Sequence, residues 1–405
     1  MPSLASYAFT SRRQKLAVAL TLVLGLPSVL GAWHLWVNRD RGAKAAPVSC
    51  TPWLREDPAP SVIHLRLQGQ GYGLGFAQGS ALKGEIREMA RFLREDFLGK
   101  GALGAGTRDW LLSSAWKLDA FLAPRYREEL RGMADASGIS YADLLLINTF
   151  DDLQHVSGCS SAVVLGAGSE PLLHARNLDY PITRLARIKV VRDIENRGVR
   201  IRTFGFPGFI GVLTGMSSHG LGLSSHTSVS RRNQIGEPSG LLYRRMLEDC
   251  ASLDEMRATL AQAHRTMGNN LALSDGHGNR AMALEFDAEA VEVRQPDQGR
   301  LFVTNHFWSH ALQQYQKQGW WAPGSGSQAR VACLVHALPP GAATTEQRLQ
   351  KIFGQEGPGT AWRTPANRGT VQSVVMEPGT GRAWLATGSN IPVTRGSYLE
   401  LGPAW

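Results

Sequence analysis

The sequence predicts a layered α+β fold on three observations. The first hundred residues after an N-terminal linker are mostly helical in pattern. From Cys159 onward the chain breaks into short apolar runs separated by turn residues. A single amphipathic helix, Leu241 to about His264, interrupts those runs. Helices and strands kept in separate blocks favour stacked layers over an alternating parallel sheet.

The elements follow in order. Residues 1–15 form a basic tail with Arg12, Arg13 and Lys15, and an apolar stretch from Leu16 to Val37 follows, broken by Pro27 and His34. At ~1.5 Å per residue that stretch is long enough to cross a bilayer as a helix. Trp33 and Trp36 near its far end favour an uncleaved anchor, while Ala43, Lys44 and Ala45 leave a cleaved signal peptide as the alternative. Either way the bulk of the chain is expected outside the cytoplasm, tethered to the envelope or secreted. Residues 38–60, rich in proline and small side chains from Ala46, read as a linker.

Val62 to Gly99 gives a strand, a glycine-rich turn and a helix, with Ile86, Met89, Leu93 and Phe97 at helical spacing. Gly69, Gly71, Gly73 and Gly75 alternate without forming GxGxxG, so they read as a tight turn and not as a nucleotide loop. More helix is expected from Asp109 to Leu122 and from Tyr126 to Ser137. Beyond Cys159, runs such as Ser161–Leu165, Pro171–Ala175, Ile188–Ile194 and Arg200–Phe206 read as antiparallel strands. So do Ile210–Gly215, Leu221–Ser225, Asn270–Asp275, Arg280–Phe286, Leu301–Asn305, Val371–Met376 and Ala383–Thr387. Ala322–Gln328, "APGSGSQ", reads as a surface loop.

The 405 residues carry 43 Lys and Arg against 34 Asp and Glu, net +9, with 43% hydrophobic and 19% charged residues, which is a globular composition. The positive charge is spread out, with no basic stripe interleaved with aromatics, and this argues against a nucleic-acid partner. Cysteines at 50, 159, 250 and 333 lie too far apart for a zinc site, and spacing alone assigns no disulfide. His306 and His310 lack the carboxylate of an HExxH pair, and no GxSxG elbow occurs. Neither a metal nor any other cofactor is expected.

The change of texture falls at the cysteine of "HVSGCSSAVV", His155 to Val164. A buried thiol is usually a small hydrophobe. The break suggests more: Cys159 as first residue of a mature chain, 159–405, with residues 61–158 a helical prosegment that stays packed alongside. Gly158 before it suits self-cleavage, since a residue without Cβ tolerates strain and admits the thiol. Arg176 and Asp179 follow at a distance that a strand, a turn and a returning strand would bring back beside Cys159. A guanidinium near sulfur favours the thiolate, and a carboxylate can hold an ammonium.

The chain resembles the N-terminal cysteine nucleophile (Ntn) hydrolases, in the branch of penicillin acyltransferase, choloylglycine hydrolases, acid ceramidase and N-acylethanolamine amidase. "GCSSAVV" with "HARNLDY" looks like their cysteine motif and following strand. "PGFIGVLTGMSSHGLGLSSH" is similar to their second hairpin, with Ser217 where a different polar residue is frequent. "GNNLALSDGHGNRAMALEF", "YGLGFAQGSALKGEI" and "TVQSVVMEPGTGRAWLATG" complete the likeness. The resemblance implies a four-layer αββα sandwich and amide chemistry. It assigns Cys159 as nucleophile and, through its freed α-amine, as base; Arg176 to polarise the sulfur; Asp179 to hold the α-ammonium. Asn270 is implied as the oxyanion donor, with its neighbour Asn269 the one-residue alternative. The expected function is a self-cleaving amidohydrolase for a small N-acyl amide, with a lipid-like long acyl chain favoured. The alternatives are an acyltransferase using an amine acceptor and a catalytically silent envelope binding protein.

Overall fold

A computed structural model describes residues 53–94, 101–154, 158–317, 326–357 and 363–405. The basic tail, the anchor-or-signal segment, most of the linker and His155–Ser157 lie outside the described residues. Among the described residues no helix is long and apolar enough to cross a membrane.

The chain opens with β1 (Trp53–Ala59) and β2 (Val62–Gln68). β1 corrects the linker reading. It is an edge strand with Arg55, Glu56, Asp57 and Pro58, and charges and proline on an edge give it a linker's composition. Helices α1 (Gly71–Ala81), α2 (Lys83–Phe92), α3 (Gly101–Asp119), α4 (Pro124–Ser137) and α5 (Tyr141–Gln154) follow.

The alternating glycines are also read differently by the structure. Gly69 and Gly71 have positive φ and turn the chain, but Gly75 and Gly79 lie within α1. A Cβ on Gly75 would collide with the Glu129 carbonyl of α4, and one on Gly132 of α4 with the Tyr72 carbonyl of α1. The spacing therefore encodes a close contact between two helices, where each backbone fits only because the other lacks side chains there.

Strands β3 (Gly158–Val164), β4 (Leu173–Asp179), β5 (Lys189–Asn196), β6 (Val199–Gly205), β7 (Thr214–Ser217) and β8 (Leu221–Thr227) come next. The helix expected over 241–264 is two helices, α6 (Ser239–Asp249) and α7 (Leu253–Gln262). Ser252 caps the second by accepting from Glu255 N–H, which restarts the helix after Cys250 turns extended. Then come β9 (Asn269–Asp275), β10 (Arg280–Phe286), β11 (Val291–Arg294), β12 (Arg300–Val303), α8 (Ser327–Ala337) and α9 (Glu346–Phe353). β13 (Thr370–Glu377), β14 (Arg382–Ala386) and β15 (Tyr398–Leu401) close the chain. The expected loop at Ala322–Gln328 thus ends inside α8, from Ser327.

Nine strands form one sheet in the order β1-β2-β5-β6-β7-β8-β9-β10-β11, and six form the other, β12-β3-β4-β13-β14-β15. β2 and β5 pair in parallel; the other strand pairs among the described residues are antiparallel. Val191, Phe204 and Met216 of the larger sheet meet Val374, Met376 and Leu385 of the smaller. Ala272 and Ala283 meet Val163 and Leu301. The two sheets therefore pack face to face. Leu74, Ile86, Leu130, Leu145 and Leu247 cover the outer face of the larger sheet against Leu65, Leu223 and Leu271. Leu334, Leu349 and Phe353 cover the other against Ala162, Ala175 and Val375. The result is an α+β fold in which both sheets are buried on both faces.

Candidate active site

β3 and β4 form the expected hairpin. Gly158 stands opposite Asp179, Cys159 opposite Leu178 and Ser161 opposite Arg176. With a side-chain period of two, Cys159, Ser161 and Arg176 share the face turned to the larger sheet. Arg176 Nη2 donates to Cys159 Sγ at 3.1 Å and to Ser225 O at 2.8 Å. Its Nη1 donates to Leu213 O at 2.8 Å and to Thr214 Oγ1. These acceptors are neutral and the guanidinium is 1% exposed, so its charge acts on the sulfur undiminished by a bonded carboxylate. Burial still dominates and pushes the thiol above its ordinary range, with Arg176 opposing.

Arg176 and Asp179 are not a surface ion pair. Asp179 is fully buried and accepts from Asn367 Nδ2 at 2.7 Å and Thr370 Oγ1 at 2.6 Å. Burial raises its pKa, opposed first by the charge of Arg330 and then by Thr370 and Asn367.

Asn270 departs from expectation. Its Nδ2 is engaged with Ser228 Oγ at 2.9 Å, Thr304 O at 3.0 Å and His306 O at 2.8 Å, so it anchors the segment after β12. The asparagine that reaches the cysteine is the one lying between those two carbonyls. Asn305 Oδ1 accepts the Cys159 N–H at 2.7 Å, and its Nδ2 donates to Thr227 O at 2.9 Å. Asn269 holds the His226 N–H at 2.8 Å through Oδ1, while its buried Nδ2 has no partner among the described residues.

A second group was not legible at all. Arg330 of α8 donates to Asn305 Oδ1 at 2.5 Å, to Ser160 Oγ at 3.0 Å and to Cys159 O at 3.3 Å. It comes from a stretch read as a loop and its neighbour, so no periodicity pointed to it. For Asn305 a signal existed: a polar "TN" closing an apolar strand.

Between the sheets a buried chain runs Ser274–His174–Ser224–Ser161–His226, with successive contacts of 2.9, 2.8, 2.9 and 2.8 Å. His226 ends it on Asn270 O at 3.1 Å. Burial drives the pKa of His174 down to about 3 and that of His226 well below its usual value, with the Arg176 charge adding to both. An apolar cleft is lined by Met89, Leu93, Ile147, Phe150, Tyr180, Ile182, Phe206, Phe209 and Leu213, with Asp151 at one wall. Of its lining, Asp151 and Tyr180 interact electrostatically with Cys159. A second cleft opens off it, sharing Met89 and Pro207.

The family model described as acyl-coenzyme A:6-aminopenicillanic acid acyl-transferase matches residues 166–392, more than half of the chain. The chain belongs to that family. The acyl-transferase match begins just past Cys159 and takes in Arg176, Asp179, Asn305 and Arg330. Among curated relatives, protein dcd1B of Dictyostelium discoideum is 27% identical over 268 residues, 58% of this chain and 53% of that protein. The N-acylethanolamine-hydrolyzing acid amidase of Oryctolagus cuniculus is 32% identical over 124 residues, 29% of this chain and 34% of that protein. The chain spans about half the length of the first curated relatives it matches. A solved Caenorhabditis elegans N-acylethanolamine-hydrolyzing acid amidase ortholog aligns with a TM-score of 0.41 at 20% identity, covering 55% of this chain and 93% of that one.

Proposed function

We propose that this acyl-transferase family member is a self-cleaving cysteine amidohydrolase acting on small N-acyl amides with an apolar acyl group. The observation that carries the reading is the Arg176 guanidinium 3.1 Å from the thiol of Cys159, the second residue of β3, directly after Gly158. In the precursor the Cys159 sulfur attacks the Gly158 carbonyl, its proton passes to the departing nitrogen, and the acyl group moves from nitrogen to sulfur. Water then cleaves the thioester, leaving Gly158 as a carboxylate and Cys159 with a free thiol and amine. That amine has an ordinary pKa of ~7.7–8.0, so it can act as base for its own thiol.

In turnover the thiolate takes the substrate acyl group and the leaving amine takes the proton. Asn305, which accepts from the Cys159 nitrogen, would orient the new amine. Arg330 would brace both. Asp179, opposite Gly158, would offset the ammonium charge. Asn269 has the unengaged amide needed by an oxyanion donor, a role in which one donor is typically worth ~3–4 kcal/mol.

The apolar cleft supports an aliphatic or aromatic acyl group. The name of the matched family favours a second reading, in which an amine and not water resolves the thioester. The deciding experiment is a denaturing gel with an acyl-amide assay. Wild type is expected as two bands and active, and Cys159→Ala as one band and inactive. An active protein that remains a single band overturns self-cleavage. Added acceptor amine that yields a new amide identifies transfer.

A further inference from the structure

Four of the residues lining the apolar cleft, Phe206, Pro207, Phe209 and Leu213, come from the connection between β6 and β7. Such a connection has no ladder of its own, so its path depends on what holds its carbonyls. Arg192 Nη2 donates to Phe206 O at 2.7 Å, and Arg244 Nη1 to Ile210 O at 3.0 Å. Asn148 takes Gly208 O and the Ile210 N–H, both at 2.8 Å.

The two arginines converge on one carboxylate that touches neither the cleft nor the thiol. Glu129 of α4 accepts from Arg244 at 2.9 Å and from Gln78 Nε2 at 2.6 Å. Gln78 Oε1 in turn accepts Arg192 Nε at 2.9 Å. Arg192, Arg244, Glu129 and Gln78 are each no more than 2% exposed. Two guanidiniums thus share a dry space with Glu129 between them. Arg244 keeps a second carboxylate, Glu248 Oε1 at 2.8 Å, whereas Arg192 donates to Gln78 and Phe206 O and is hydrogen-bonded towards Glu129 only through Gln78. Loss of the Glu129 charge therefore leaves the two cations under-neutralised and shifts them with the carbonyls they hold.

We propose that Glu129 is a positioning residue for acyl recognition: through Arg244, and through Gln78 and Arg192, it fixes the path of residues 206–213 and so the acyl length the cleft accepts. This rests on the cleft being the acyl site. It also puts a determinant of specificity on the segment before Cys159, so both products of self-cleavage would shape one pocket.

The test uses the full-length protein on acetyl, hexanoyl and lauroyl amides of one amine. For Glu129→Gln, KM on the lauroyl amide should rise on the order of tenfold while the acetyl value stays within about twofold, the scale of discrimination that apolar pockets exert. Self-cleavage should remain. A merely structural role would lower the melting temperature and leave the lauroyl-to-acetyl ratio of kcat/KM unchanged, and that result overturns the inference. Gln78→Met removes the bridge to Arg192 without a change of charge and is read by the same ratio, so it decides the question if Glu129→Gln does not fold. A wild type indifferent to acyl length overturns the cleft's assignment itself, and the inference with it.

Discussion

At the scale of single residues, the proposed chemistry makes the side chains near Cys159 unequal in kind. Asp179 faces two donors, Asn367 Nδ2 and Thr370 Oγ1, so Asp179→Asn turns an acceptor into a donor among donors and also removes the charge proposed to face the new amine. Turnover should fall on the order of a hundredfold or more, measured as kcat on a short N-acyl amide. Asn305→Ala should match it, whereas Asn270→Ala should act mainly on stability, by about 1–3 kcal/mol in denaturant melts, because it frees buried carbonyls. Equal kinetic losses for the two asparagines would restore Asn270 to the role first expected of it. The buried histidines add a pH dependence. His174 titrates near 6.5 when unfolded and at about 3 when folded, so the folded protein stays neutral there while the unfolded chain takes up a proton. That stabilisation is complete above about pH 6.5 and falls as pH drops towards 3, at up to about 1.4 kcal/mol per pH unit. His226 acts in the same direction. Urea melts from pH 7 to 4 should show a shallower slope for His174→Gln than for wild type.

At the scale of elements, the glycine contact between α1 and α4 gives a direct test. Gly132→Ala places a methyl against the Tyr72 carbonyl and should cost about 1–3 kcal/mol, read by thermal unfolding, with Gly84→Ala, which meets nothing, as the control. This contact also marks the limit of what the sequence made legible. The hairpin carrying Cys159, Arg176 and Asp179 was readable because two apolar runs at fixed spacing leave one register. The same holds for the strands from Leu221 to Phe286, whose alternation survives burial on both faces. The glycines were read locally, as a turn, because their partner is a helix fifty residues away. Asn305 and Arg330 escaped for a related reason. They reach the cysteine from the end of a strand and from a helix opened by small polar residues, and only the stacking of layers brings those ends together. β1 was missed because an edge strand is built to look unlike a core strand.

At the scale of the whole molecule, we propose that residues 16–37 hold the fold at a membrane, where a lipid-like amide would reach the cleft. A chain beginning at Ala46 keeps every residue of the site and the whole of β1. It should match the full-length protein on a water-soluble amide and fall well behind it on amide embedded in vesicles. Equal rates on vesicles would remove the anchor's part in catalysis. The segment before Cys159 has a different standing, since β2 lies inside the nine-stranded sheet, between β1 and β5. A cut at Gly158 therefore leaves two polypeptides interlaced in one cooperative unit. Once both are denatured they must meet again by diffusion before the sheet can close. Recovery of the mature form should consequently slow on dilution, while uncut Cys159→Ala refolds at a rate independent of concentration. The same strand that would make the cleaved protein hard to take apart would make its unfolding, in dilute surroundings, a passage in one direction.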